Sequence, residues 1–152
     1  MSTESNIIWS FKEKIISFAK IHDMFPENGI IISAVSGGAD SISLLDALHG
    51  ISNKHNFTVV AAHFNHKLRG DESERDEAFV IDECKIRNIK LYTGSADVNH
   101  HSKISGLGIV ETARELRYDF LTNIAEELSL SEKKMFELLQ HIMLTILLKL
   151  FY

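Results

Sequence analysis

The chain holds one cysteine, one proline and one tryptophan in 152 residues. A lone Cys84 excludes an internal disulfide and any Cys-x-x-Cys metal or redox site, and reads as an ordinary helix residue of a reduced protein. No apolar run reaches the roughly 18 residues needed to cross a membrane. The start, MSTESNIIWSFKEK, lacks a basic stretch leading into a continuous apolar core, so no signal peptide is expected and a cytoplasmic location is. An excess of positive charge is also missing. The net charge of −5 and pI near 5.9 argue against a protein that coats nucleic acid non-specifically, while a local basic site for a structured RNA stays open. What is present, 45% hydrophobic and 24% charged residues, fits a single globular domain. A domain of this size buries roughly 70% of its unfolded surface.

Along the chain, Asn6 to Met24 repeats Ile7, Ile8, Phe11, Ile15, Phe18 and Ala19 at helical spacing, and Pro26 and Gly29 end that helix. Ile30 to Val35 is short, continuous and β-branched, as a strand covered on both faces should be. Ser41 to His49 follows as a helix with Leu44, Leu45 and Leu48 on one side. The unit repeats with a strand from Phe57 to Phe64 and a charged helix from Ser73 to Arg87 carrying Ala78, Phe79, Ile81 and Cys84. Ile89 to Tyr92 is a third strand, and Thr93 to Gly108 reads as a polar stretch without an element. A helix from Ile109 to about Leu128 then turns Ile109, Ala113, Leu116, Phe120 and Ile124 inward. Strands alternating with helices predict an α/β fold, a doubly wound parallel sheet with helices on both faces. Ligands of such sheets bind at the carboxyl ends of the strands, where the loops after Val35 and Phe64 fall.

The first of these loops reads Ser36-Gly37-Gly38-Ala39-Asp40-Ser41. Two glycines between a buried strand and a helix let backbone approach a ligand, and the new helix offers it free N–H groups and the positive end of its dipole. Phosphate is the expected ligand. The loop is not a Walker A sequence, because an acid stands where the lysine would be. Asp40 therefore either caps the helix or holds Mg²⁺ against the phosphates.

The second loop, in AAHFNHKLRGDESERDEAF, sets His63, Asn65, His66 and Arg69 at the tip of the second strand. Imidazoles and an amide can line an adenine pocket, and Arg69 can meet phosphate or carboxylate in bidentate fashion. The competing reading is a polar loop with a helix cap at Asp71 or Ser73. Two histidines alone make a weak zinc site. In IVETARELRYDFL, Glu111, Arg114 and Glu115 share a flank that is either a surface charge ladder or a functional face. Arg117 and Tyr118 lie closer to the apolar side, where an arginine needs a partner.

The glycine loop resembles the PP-loop of the N-type ATP pyrophosphatases. Taken with the His-x-Asn-His-x-Leu-Arg-Gly and Glu-x-Ala-Arg-x-x-Arg-Tyr-x-Phe-Leu stretches, in this order from Ile30 to Leu121, it is similar to the tRNA(Ile)-lysidine synthetase family. The resemblance implies a ligase that adenylates the C2 oxygen of wobble cytidine 34 in tRNA(Ile) with a CAU anticodon. Free lysine then displaces AMP, giving lysidine, with ATP and Mg²⁺ consumed or bound and tRNA(Ile) and L-lysine as substrates. It further implies that Ser36, Gly37, Gly38, Ala39, Asp40 and Ser41 hold ATP, with Asp40 at the reacting phosphate or its Mg²⁺. His63, Asn65 and His66 would border the nucleotide, and Arg114 and Arg117 would face ATP or the cytidine. The lone Cys84 weighs against the sister enzymes that thiolate tRNA with paired cysteines.

After Ala125 the resemblance stops. The family continues into a strand and an Ala-His-His-x-x-Asp-Asp…Glu-Thr segment, whereas Ser131 to Tyr152 reads as an increasingly apolar tail. Back-translated and read two bases later, Gln140 to Lys149 permits Ala-His-His-Ala-Asp-Asp followed by Val-Glu-Thr. A frameshift upstream of Gln140 is therefore expected, dividing the chain into an incomplete PP-loop nucleotide-binding domain, 1–128, and a divergent apolar tail, 129–152. Such a chain is expected to have little or no ligase activity by itself. An ATP-binding module without chemistry, another PP-loop tRNA-modifying enzyme and an inert fragment are the alternatives, and the oligomeric state stays open.

Overall fold

The computed structural model describes residues 3–26 and 28–132, with side chains from Ser10 to Ser129 except that of Glu27. Residues 133–152, most of the expected apolar tail, lie outside the described residues. The elements follow in the order α1 (Thr3–Ile21), β1 (Ile30–Ala34), α2 (Ala39–Ser52), β2 (Thr58–Asn65), α3 (Asp71–Ile86), β3 (Lys90–Ser95), α4 (Val98–Ser105) and α5 (Ile109–Glu132), with a 3-10 turn at Asn53–His55. Among the described residues no helix is long and apolar enough to cross a membrane.

The three strands pair in parallel in the order β1-β2-β3, Ile30 to Ala34 against Thr58 to Ala62 and Val60 to Asn65 against Lys90 to Ser95. Their period of two divides the core between the sheet faces. Ile31, Val35, Val59 and Ala61 pack with Leu45, Leu48 and Ile51 of α2 and with Val80 and Cys84 of α3. Ile30, Val60 and Ala62 face the other way, onto Leu121, Ile124, Ala125 and Leu128 of α5. Helices on both faces of a parallel sheet make the architecture doubly wound, as expected. Leu45, wholly buried, contributes about 1.5–3 kcal/mol of transfer free energy. Cys84 is buried within the first layer, and burial pushes its thiol pKa up, so it behaves as the inert helix residue anticipated.

Three expectations are corrected. Val98 to Ser105 is a helix, where a structureless polar stretch was expected, and β3 runs on to Ser95. Asp97 starts that helix by accepting from His100 N at 3.0 Å, Gly106 ends it at φ +75°, and its apolar anchor is Val98. On α3, for which the sequence reading names no inward set, Val80 and Cys84 are buried and Phe79 and Ile81 are exposed. On α5 Ile109 is exposed and Thr112 and Leu121 are buried, because the helix packs on the sheet through Phe120, Leu121, Ile124, Ala125 and Leu128, well past its first turn.

The turns differ between the sheet's two edges. Each helix-to-strand turn at the amino edge carries an asparagine in the left-handed region two residues before the strand: Asn28, Asn56 and Asn88. The strand-to-helix turns at the carboxyl edge place Gly37, Lys67 and Gly70 there instead.

Candidate nucleotide site

The glycine loop begins where β1 ends. Gly37 has φ +93°, a conformation that L side chains rarely adopt, and a Cβ there would lie 3.2 Å from Asp76 Cβ. Gly38 is the N-cap residue of α2 in an extended conformation, and its surroundings are open apart from Ser36 Oγ. Ser41 knits the turn together: its hydroxyl donates to Gly38 O at 2.8 Å and accepts from Ser36 N at 3.2 Å. Ser36 Oγ lies 3.2 Å from the same hydroxyl and accepts from Gly38 N at 3.4 Å.

No side chain caps α2, and Asp40 sits exposed in its first turn. The amino end of α2 is turned to the carboxyl edge of the sheet, with a glycine as its N-cap residue, which is an arrangement that suits anions. Ala39 is the first residue of that helix.

Beside the loop stands the exit of β2. His63 is 3% exposed, and its Nδ1 lies 2.7 Å from Val35 O, the residue before the loop. A carbonyl only accepts, so the proton is on Nδ1 and Nε2 is an acceptor in the neutral ring. That buried Nε2 has no protein partner. It suits a hydroxyl or amino group, not a phosphate. Asn65, in contrast, is fully used by the protein. Its amide donates to Glu77 Oε2 at 2.9 Å and Ser73 O at 3.4 Å, and its Oδ1 accepts from Lys67 N at 2.9 Å. These bonds hold Lys67 at φ +52° and fasten the loop to α3. Neither Asp71 nor Ser73 is the N-cap residue of α3; Gly70 is, and Ser73 Oγ instead accepts from Arg69 N.

His66 and Arg117 complete this wall from β2 and α5. His66 is half-buried edge-on to Phe64, with Nδ1 unpartnered. Its pKa is lowered, first by burial, then by the charge of Arg117 and by His63. Arg117 is itself lowered below the ordinary arginine value by burial, with Tyr118 opposing and Arg114 adding to the shift, and its Nε lacks a partner. No carboxylate forms an ion pair with Arg117 among the described residues. Arg114 is exposed, its guanidinium 5.5 Å from the centre of the Tyr118 ring. The sequence-predicted residues are thus brought to one edge. Two that reasoning from sequence passed over are Asp76, behind Gly37, and Glu77, which holds Asn65. Both sat in an acidic run read only as a helix start.

No three His, Cys, Asp or Glu side chains cluster as metal ligands among the described residues. A magnesium ion here would take Asp40 and fill its other positions from phosphate oxygens and water, which is the usual habit of Mg²⁺ at nucleotides.

A helix amino terminus, a glycine turn and buried nitrogens at the carboxyl edge of a doubly wound sheet define a nucleotide-binding α/β domain. The PP-loop domain family matches residues 10–142, and the chain belongs to that family. It is 36% identical over 121 residues to a tRNA(Ile)-lysidine synthase of Clostridium perfringens, covering 80% of this chain and 26% of that protein. To the synthases of Bacillus cereus and Petrotoga mobilis it is 38% and 35% identical over 118 and 123 residues, covering 78% and 81% of this chain and 25% and 39% of theirs. The chain therefore spans a quarter to two fifths of the length of these curated relatives. Among solved structures it is similar in fold to the U34-tRNA thiolase NcsA from Methanococcus maripaludis, at TM-score 0.51 and 20% identity over 80% of this chain and 43% of that one.

Proposed function

We propose that this chain is the ATP-binding part of a ligase that attaches lysine to C2 of wobble cytidine 34 in tRNA(Ile) with a CAU anticodon. ATP adenylates the cytidine's C2 oxygen and pyrophosphate leaves; the lysine amine then attacks C2 and AMP departs. The observation that carries the nucleotide half is the uncapped amino end of α2 beside buried His63 Nε2, His66 Nδ1 and Arg117 Nε. The likeness to tRNA(Ile)-lysidine synthases supports the choice of tRNA and lysine.

In this reading the backbone and hydroxyls of Ser36, Gly37, Gly38, Ala39 and Ser41 hold the phosphates, and Asp40 orients Mg²⁺ on them. His63 accepts from the nucleoside, His66 borders it, and Asn65 acts by fixing the loop that carries both. Arg117, a half-buried cation with no ion-paired carboxylate among the described residues, and Arg114 at its side face the negative charge that grows on the reacting phosphate.

The division into a nucleotide domain, 1–128, and a tail, 129–152, displaced in reading frame belongs to the same proposal. Sequencing the DNA across the codons for Ala125 to Tyr152 tests it. The function is tested by pyrophosphate release and lysidine formation with ATP, lysine and tRNA(Ile), in the chain as given and in the frame-restored product. Lysine-dependent consumption of ATP without tRNA would count against the wobble cytidine as acceptor. Binding of Mg-ATP with no pyrophosphate from either product would favour a nucleotide-binding module without chemistry.

A further inference from the structure

Arg69 stands beside the glycine turn on a fixed backbone with a solvent-exposed head. Its N–H donates to Ser73 Oγ at 3.3 Å and its carbonyl accepts from Glu72 N at 3.3 Å, which pins the main chain at the start of α3. The side chain is 63% exposed, with Nη2 donating to Asp76 Oδ2 at 2.8 Å. Nη1 lies 3.8 Å from Glu72 Oε2. Asp76 backs directly onto the turn, because a Cβ at Gly37 would meet Asp76 Cβ at 3.2 Å and Asp76 O at 3.4 Å. One aspartate side chain therefore separates the guanidinium from the backbone proposed to cradle phosphate.

The energetics favour movement. In this state Arg69 rests on Asp76 as a solvent-exposed ion pair. An exposed pair of this kind is held by a factor of about five at most. A phosphate gives the guanidinium a stronger, bidentate, charge-assisted partner. We propose that Arg69 is a movable phosphate clamp, parked on Asp76 and transferred to the polyphosphate when ATP binds. Its reach from a pinned backbone makes this a side-chain rotation, with no loop closure needed. The proposal rests on the nucleotide reading above.

The test is titration calorimetry of the full chain with Mg-ATP for the wild type, Arg69→Ala, Asp76→Asn and the double variant, each with a thermal melt. Arg69→Ala is expected to weaken binding about tenfold. Asp76→Asn is expected to tighten it up to about fivefold, and that gain is expected to vanish when Arg69 is already alanine. A gain that survives in the double variant would mean that Asp76 only repels phosphate, and would overturn the clamp. So would an unchanged Kd in Arg69→Ala. Should Arg69→Ala lose its cooperative melt, Arg69→Gln keeps the stem and gives the same readout. Absence of Mg-ATP binding to the wild type overturns the nucleotide reading together with this one; a bound wild type with indifferent variants overturns the clamp alone.

Discussion

Gly37→Ala and Gly38→Ala, one residue apart, are expected to fail in different ways. Gly37 has φ +93°, and holding an alanine in the left-handed region costs about 1–2 kcal/mol. Its new methyl would also lie 3.2, 3.4 and 3.5 Å from Cβ, O and Cα of Asp76. Two of those atoms are helix backbone, so α3 itself must retreat. Strain and contact together come to about 2 kcal/mol, a loss of roughly 4–8 °C in Tm for a domain of this size. Gly38 instead has φ −73° and ψ 156°, open to any residue, and its methyl would meet only Ser36 Oγ at 3.6 Å. Replacing it costs under about 1 kcal/mol of folding, chiefly as a poorer N-cap. The methyl would, however, stand where a phosphate must approach, so Mg-ATP binding is expected to weaken at least about tenfold. Thermal melts with and without Mg-ATP, together with calorimetric Kd values, separate the two effects. The reasoning is refuted if Gly38→Ala binds Mg-ATP as tightly as wild type, or lowers Tm as much as Gly37→Ala does.

Gly94→Ala would push a methyl to 2.7 Å from the Phe120 ring, and urea unfolding should show a loss of about 1–3 kcal/mol, smaller when Phe120 is also trimmed to leucine. His55 and His66 both titrate below their ordinary 6.5, through burial first and then through Lys20 and Lys54 for His55 and through Arg117 and His63 for His66. The unfolded chain therefore binds more protons near that pH, so their share of stability is complete above 6.5 and is lost as pH falls through the folded values. Urea midpoints should drop between about pH 7.5 and about pH 5.5, and drop less in His66→Gln; a midpoint that rises on acidification contradicts this. Arg117→Met removes a desolvated cation that no described carboxylate pairs with. It is expected to raise stability by about 0.5–2 kcal/mol while weakening Mg-ATP binding, and a lowered Tm would show that Arg117 is structural.

The first two strands were legible because β1 opens on three isoleucines and β2 on Thr58, Val59 and Val60 within a continuous apolar run that needs cover on both sides. Ile30 to Ala34 and Thr58 to Asn65 fell within a residue of their expected bounds. Helix α4 was not legible, because it has one apolar anchor, Val98, and is set by a cap at Asp97 and a stop at Gly106. Helical periodicity misplaced Ile109 because it identifies a stripe without saying how much of it the sheet reaches. At the site, the residue types were readable and their partners were not. Asn65 looks like a ligand residue by type and position, yet its amide is spent on Glu77, twelve residues away, beyond any local pattern. The role of Asp76 behind Gly37 joins two turns that no spacing rule connects.

The two edges of the sheet show where local rules are kept and where they are broken. At the amino edge, Asn28, Asn56 and Asn88 solve the same helix-to-strand reversal with the non-glycine residue that best tolerates a positive φ. At the carboxyl edge, Lys67 is held at φ +52°, where a lysine costs about 1 kcal/mol or more. His63 Nε2, His66 Nδ1 and Arg117 Nε are buried there without protein partners. A fold under pressure only for stability would place asparagine or glycine at position 67 and a neutral residue at position 117. Departures gathered on one edge, next to a helix terminus left uncapped, mark groups kept for something the chain binds. Two further buried orphans, Ser33 Oγ within β1 and His55 Nε2 before β2, lie away from the glycine loop. Relaxing Lys67→Gly or Arg117→Met should therefore stabilise the chain, whereas filling Ser33 with alanine should leave Mg-ATP binding untouched. Equal effects of all three on binding would remove the edge's special standing.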